Sequence, residues 1–121
     1  MGGDPDLIYS LLPEVFVNHP NIYGIYSSAA GNEDLIRFLK DRKAANDIVV
    51  IGHELTPLSR DALNGGIFDA VINQDSGHIM RSCTRLLRAA IDNVPYNPAQ
   101  ERIHIDIYIK ENMPLPDPRI R

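Results

Sequence analysis

IVVIGHELTPLSRDALNGGIFDAVINQDSGH, residues 48–78, changes its hydrophobic rhythm twice. It opens on a continuous apolar run, 48–51, of the kind a strand shows when both of its faces are covered. The polar group Gly52-His53-Glu54 follows, and Thr56 then stands where a helix cap is needed, with Pro57 at the first helical position. Leu58, Ala62 and Leu63 give that helix an apolar stripe, and Gly65-Gly66 stops it. A second apolar run, 70–72, ends abruptly in Asn73, Gln74, Asp75 and Ser76. Strand, helix and strand at this spacing form a βαβ unit, whose two strands are parallel and whose crossover is right-handed.

The same alternation extends to both sides. Residues 22–26 predict an earlier strand, followed by a helix that Asn32 can cap. Glu33 and Asp34 in its first turn and Lys40, Arg42 and Lys43 in its last match the helix macrodipole, and Leu35, Ile36 and Leu39 supply its buried stripe. On the other side, Asp75 or Ser76 caps a longer helix with Ile79, Met80, Cys83, Leu86, Leu87, Ala90 and Ile91 at helical spacing, ending near Asn93 before Pro95. IHIDIYIK, residues 103–110, alternates strictly: Ile103, Ile105, Ile107 and Ile109 fall on one side, and His104, Asp106, Tyr108 and Lys110 on the other. That pattern predicts an edge strand with one solvated face. A helix over 7–17 precedes everything, with Pro13 forcing a kink or a restart. The order α-β-α-β-α-β-α-β predicts an α/β fold, a parallel sheet in a three-layer α/β/α arrangement. Such a sheet normally starts with a strand, so an opening helix reads as part of a larger unit. Residues 1–114 form the expected folded lobe, and 115–121, within the proline-rich MPLPDPRIR, an extended or disordered tail.

Composition narrows the function. A chain of 121 residues with 44% hydrophobic and 23% charged residues can bury a core without a disulfide or structural metal. The net charge of −4 and the dispersed Lys and Arg argue against a nucleic-acid surface, which needs clustered cations to neutralise phosphates. The single Cys83 excludes an internal disulfide, and its place on an apolar rhythm predicts a buried thiol. No apolar run approaches the roughly 20 residues that span a bilayer, and MGGDPDLIYS lacks the regions of a signal peptide, so a cytoplasmic protein with no membrane partner is expected.

In open parallel sheets ligands bind beyond the carboxyl ends of the strands. Three polar segments mark those ends: Ser27-Ser28-Ala29-Ala30-Gly31-Asn32, Gly52-His53-Glu54, and Asn73-Gln74-Asp75-Ser76-Gly77. Their amides, hydroxyls and carboxylates suit the paired hydrogen bonds of a sugar or polyol. Asn32, Thr56, Asp75 and Ser76 are equally the residues of helix caps, whereas Gln74 lies between the apolar run and the cap and is not explained by capping. His53 with Glu54 could serve a metal or acid–base chemistry, but neighbours on a strand point in different directions and no third group stands at ligand spacing. His19, His78 and His104 read as surface residues. There is no GxxxxGK[ST] loop, GxGxxG fingerprint or GxSxG elbow, and neither the acidic pair nor the late lysine of a receiver domain. No catalytic residue, metal or cofactor is expected.

Taken together, IYSSAAGN (residues 25–32), the 48–78 stretch and IHIDIYIKENMP (residues 103–114) resemble the C-terminal half of the ligand-binding domain of LacI-type transcriptional regulators, which is similar to periplasmic sugar-binding proteins of the ribose-binding type. The resemblance runs from about Leu7 to Pro114. It implies one lobe of a type I periplasmic-binding-protein-like fold, in which a small effector, usually a sugar, is clamped between two lobes. By that resemblance Ser28 and Asn32 fall in the first ligand loop, Glu54 takes the place of an Asp, and Gln74 matches a family glutamine; His53 and Asn73 flank them. Where the family often has Asn-Asp in the first loop, this chain has Ala29-Ala30-Gly31-Asn32. GHELT and the ending IKENMP resemble the regulators more than the transport proteins.

The reading is therefore an effector-binding lobe of a LacI-family regulator, binding a carbohydrate-like small molecule and contacting DNA only through a domain absent from this chain, with a homodimer implied for the full-length regulator. The alternative is the periplasmic solute-binding component of a sugar ABC transporter. A small enzyme using His53 and Glu54 is the third reading.

Overall fold

The computed structural model describes residues 5–28, 31–42 and 47–119. The elements run α1 (Pro5–Asn18), β1 (Gly24–Tyr26), α2 (Asn32–Arg42), β2 (Val49–His53), α3 (Pro57–Asn64), β3 (Ala70–Gln74), α4 (Ser76–Asp92) and β4 (Ile105–Tyr108). This is the α/β alternation expected, with the strands in the sheet order β1-β2-β3-β4. The chain divides into two compact units, Met1–Ile72 with Ile107–Arg121, and Asn73–Asp106.

In the first unit β1 pairs with β2 and β2 with β3, all parallel. The register sets Ile25 beside Val50 and Gly52 beside Val71, so these residues share one face of the sheet. Val50 and Val71 are fully buried there, in a core with Phe16, Leu35, Phe38, Leu39, Leu63 and Phe68. Tyr26 and Val49, which alternate with that set, remain 56% and 55% exposed. The apolar runs had implied cover on both faces. Strand order explains the difference: successive right-handed crossovers that always step in one direction put α2 and α3 on the same side.

At Gly52 the chain needs the absence of a side chain. A Cβ there would lie 2.6 Å from the Phe68 ring, which is 2% exposed and cannot swing away. On the far side of the core α1 packs on α2, with the Phe16 and Phe38 rings 5.4 Å apart, the Arg37 guanidinium 4.1 Å above the Tyr9 ring, and the Tyr9 hydroxyl donating to Asp41 at 2.6 Å. α1 is a single helix that contains Pro13 without a restart. The closing segment folds back onto this unit: Asn112 accepts from the Ile109 N–H and donates to the Ile107 carbonyl, Met113 packs on the core, and Arg60 donates to the Pro114 carbonyl at 2.6 Å.

Two burial patterns differ from expectation. Ile105 and Ile107 are more than half exposed, while Tyr108, assigned to the solvated side of that strand, packs against the core. Alternation fixed the two sides of the strand but not which one faces inward; the side that meets the core cluster is Tyr108's. Likewise in α4 the expected stripe is largely outside: Met80, Leu87 and Ile91 are exposed, as is Cys83, whose thiol is not buried. The buried side carries Ser82 and Ala89 instead. Within the second unit a polar network occupies that side. Glu101 has a side chain only 6% exposed, takes two hydrogen bonds from Arg85 at 2.7 and 3.0 Å and another from the Ser82 hydroxyl, while His78 meets the Arg102 carbonyl. These contacts fix residues 101–102 over the polar side of the helix.

The caps are as read at two helices. Thr56 caps α3, and Asp75 caps α4 by accepting the His78 N–H at 3.0 Å. α4 ends on Asn93 in the left-handed conformation. At α2 the first helical hydrogen bond, Leu35 N–H to the Gly31 carbonyl, makes Gly31 the boundary residue, so Asn32 does not cap its helix. Lys43, read as part of its last turn, lies outside the described residues. Residues 115–119 carry no helix or strand, and Ile120 and Arg121 are also outside the described set.

Gly52→Ala is expected to destabilise the protein by about 1–3 kcal/mol, the range for overpacking a tight core, measured as a lower urea midpoint. A second outcome concerns pH. The hydrogen bonds from Arg85 and Ser82 hold the Glu101 carboxyl below its ordinary range, so its contribution to stability is full above the unfolded glutamate pKa and is lost as pH falls through the lower folded value. Amide exchange in α4 should accelerate across that acid window in the wild type and show less acid dependence in Glu101→Gln.

Candidate functional site

At the carboxyl ends of β1 and β2 the first unit contains a cavity of about 410 Å³. The turn between β1 and α2 supplies Ser28, Gly31, Asn32 and Glu33; the end of β2 supplies His53 and Glu54; the start of α3 supplies Thr56 and Leu58. Four of the residues singled out from sequence, Ser28, Asn32, His53 and Glu54, therefore line one concavity. Ala29 and Ala30 of the same loop lie outside the described residues.

Asn32, released from capping, ties the two strand ends together. Its Oδ1 accepts from the Ser27 hydroxyl at 2.7 Å, and its Nδ2 reaches the His53 carbonyl at 3.4 Å. The amide thus fixes the mouth of the cavity from one wall to the other.

Glu54 is the unusual residue. Its φ of 71° is left-handed, a region that disfavours a glutamate by roughly 1 kcal/mol or more. The strained residue is held at both ends of its peptide: its N–H donates to the Ile72 carbonyl at 2.8 Å, and its carbonyl accepts from the Ser59 hydroxyl at 2.7 Å. The residue is exposed, is in no ion pair among the described residues, and lines the cavity. With Glu33 it gives the lining two carboxylates and no Lys or Arg. Such a wall offers acceptors to hydroxyl or ammonium donors and opposes anions.

Asn73 and Gln74 belong to the second unit, where they are the last two residues of β3. Gln74 is exposed and Asn73 half-buried. Asp75 beside them is engaged as a cap, and the His78 N–H holds its carboxyl below the ordinary range. Among the described residues no three His, Cys, Asp or Glu side chains are grouped as a metal would require. Sequence reasoning passed over Glu33, Thr56 and Leu58 as lining residues. Each had a sufficient local explanation, as helix N-terminal charge, cap and apolar stripe, and only the convergence of strand ends with helix starts gives them a second role.

A protein-family model described as "periplasmic binding protein domain" matches residues 1–94. No curated protein matches the sequence. Among solved structures, GanP, a glucose-galactose binding protein from Geobacillus stearothermophilus, is similar at 13% identity and a TM-score of 0.74, over 92% of this chain and 38% of its own. An ABC transporter solute-binding protein from Agrobacterium vitis with bound D-fucose shows 15% identity and a TM-score of 0.74, over 93% and 39%. A carbohydrate transporter solute-binding protein from Agrobacterium radiobacter in complex with D-arabinose shows 16% and 0.72, over 93% and 37%. The chain thus spans less than two fifths of the length of these structures. Its strand order, its parallel register and the family match over residues 1–94 agree, and the chain belongs to the periplasmic binding protein domain family.

Proposed function

We propose that this chain provides one wall of a carbohydrate-binding cleft. The observation that carries the reading is the cavity at the ends of β1 and β2, lined by Ser28, Asn32, His53 and Glu54 with no cationic side chain. The Glu54 carboxylate can accept from two adjacent hydroxyls of a pyranose or furanose, which fixes ring orientation as well as affinity. Asn32 and Ser28 add donor and acceptor capacity, and His53 adds a ring nitrogen whose role follows its tautomer. Asn73 and Gln74 are assigned as further ligand contacts on the family resemblance. That structures similar in fold carry D-fucose and D-arabinose supports the ligand class.

Within that class we assign the chain to a cytoplasmic LacI-type regulator whose DNA contact and dimerisation lie outside the residues of this chain. GHELT and IKENMP support this assignment. The second reading, a solute-binding component of sugar transport, is favoured by the transport and sugar-binding proteins among the structural neighbours. Cell fractionation separates them: the regulator reading requires the native protein in the cytoplasm, and recovery from the cell envelope or periplasm would replace it with transport.

Glu54→Gln is expected to weaken binding of a neutral aldose, D-fucose or D-arabinose, by about tenfold or more, the scale of a hydrogen bond to a charged group, with the circular dichroism spectrum unchanged. Saturation-transfer NMR suits the weak affinity of a single wall. Unchanged affinity would remove Glu54 from the site.

A further inference from the structure

We infer that Ser59 is a positioning residue for the ligand site: its hydroxyl, without touching the cavity, holds Glu54 in the left-handed turn that sets the direction of its carboxylate. The inference rests on the reading that Glu54 contacts the ligand.

Ser59 is the third helical residue of α3 and completely buried, at 0% exposure. Its position belongs to a capping box, in which the side chain accepts from the N–H of the cap residue; Thr56 N–H donates to it at 2.8 Å. Glutamate or glutamine normally fills that role. A carboxylate there would satisfy the helix but has no proton to give. The serine hydroxyl accepts from Thr56, through its N–H and at 3.2 Å its hydroxyl, and donates at the same time; its shortest acceptor is the Glu54 carbonyl at 2.7 Å, against 3.1 Å to the Thr56 carbonyl.

That donation falls on a residue that needs it. Glu54 and Asn93 are the non-glycine residues with positive φ among those described. Asn93 ends a helix, where asparagine is common in this conformation. Glu54 is held through its peptide groups, by Ile72 and Ser59, and its side chain forms no ion pair among the described residues. Since the N–H bond to Ile72 continues the β2–β3 pairing, it is made on entering the turn whatever the turn's hand. The Ser59 bond follows the left-handed φ, and so selects the conformation.

The test is Ser59→Ala in the whole protein, read in two ways. A left-handed residue brings its own amide and α protons close together, which gives a strong intraresidue cross-peak in NOE spectra. The expected result is loss of that signature at Glu54 in Ser59→Ala; its persistence would overturn the inference irrespective of any ligand. The second readout is binding of D-fucose. Ser59→Ala and Glu54→Gly should each weaken it by about tenfold, and the double variant should be no weaker than Glu54→Gly alone, because Ser59 acts through Glu54. Additive losses would make Ser59 a structural residue only and overturn the positioning role. If Glu54→Gly alone leaves D-fucose binding unchanged, the carbohydrate-site reading fails and the ligand half of the inference falls with it, while the NOE still decides whether Ser59 sets the turn. Should Ser59→Ala fail to fold, Ser59→Cys preserves the volume with a weaker donor and gives the same two readouts.

Discussion

The contact between the Phe68 ring and the bare backbone of Gly52 sets the geometry of everything above it. Phe68 sits between α3 and β3 and is one of the largest fully buried side chains. Its ring occupies the space where a β2 side chain would otherwise stand. β2 therefore lies close against the core at the point where it is about to leave the sheet. Two residues later the chain has to turn sharply to begin α3, and Glu54 makes that turn in a left-handed conformation. Tight packing below the site and an unusual backbone within it are consecutive consequences of one short segment, residues 52–59.

Much of this architecture is legible from residue pattern. Apolar runs separated by capped helical stretches define a parallel α/β sheet, and Thr56, Pro57 and Asp75 mark helix starts where the structure has them. What pattern does not contain is the identity of the inward side when both sides of an element carry apolar residues. IHIDIYIK has four isoleucines on one side, yet the single Tyr108 on the other meets the core. In α4 the deciding interaction is between a helix and a segment some sixteen residues away, where Glu101 is drawn in by Arg85 and Ser82. A half-exposed Arg85 that draws a nearly buried Glu101 side chain onto one side of the helix places polar groups there, an outcome that apolar spacing alone does not contain.

The site was legible to a similar depth. The rule that ligands gather at strand carboxyl ends singles out Ser28, Asn32, His53 and Glu54, and the structure brings these into one cavity. The rule cannot reveal that Asn32 is an internal brace between strand ends, since an asparagine before two acidic residues reads equally well as a cap. Nor could it reveal the left-handed Glu54. Glycine or asparagine at such a position announces the conformation; a glutamate conceals it, and only the partners of its backbone disclose why it is tolerated.

That a glutamate occupies the position bears on what the segment is for. Glycine would make the same turn without strain, and the helix start would be capped by Thr56 in either case. A glutamate there at a conformational cost is consistent with the ligand role proposed for its carboxylate. The surrounding charge agrees: Glu33, in the first turn of α2, lines the same cavity, and Glu54 precedes the cap of α3, places where the positive end of a helix favours an acidic residue. Two helix dipoles can thus hold two acidic groups at a wall with no basic side chain, leaving the carboxylates' acceptor capacity available to hydroxyl groups from solution. A lysine or arginine at this wall would instead have consumed it. The fold thus supplies counter-charge through its backbone, which suits the carbohydrate-binding role proposed for this wall.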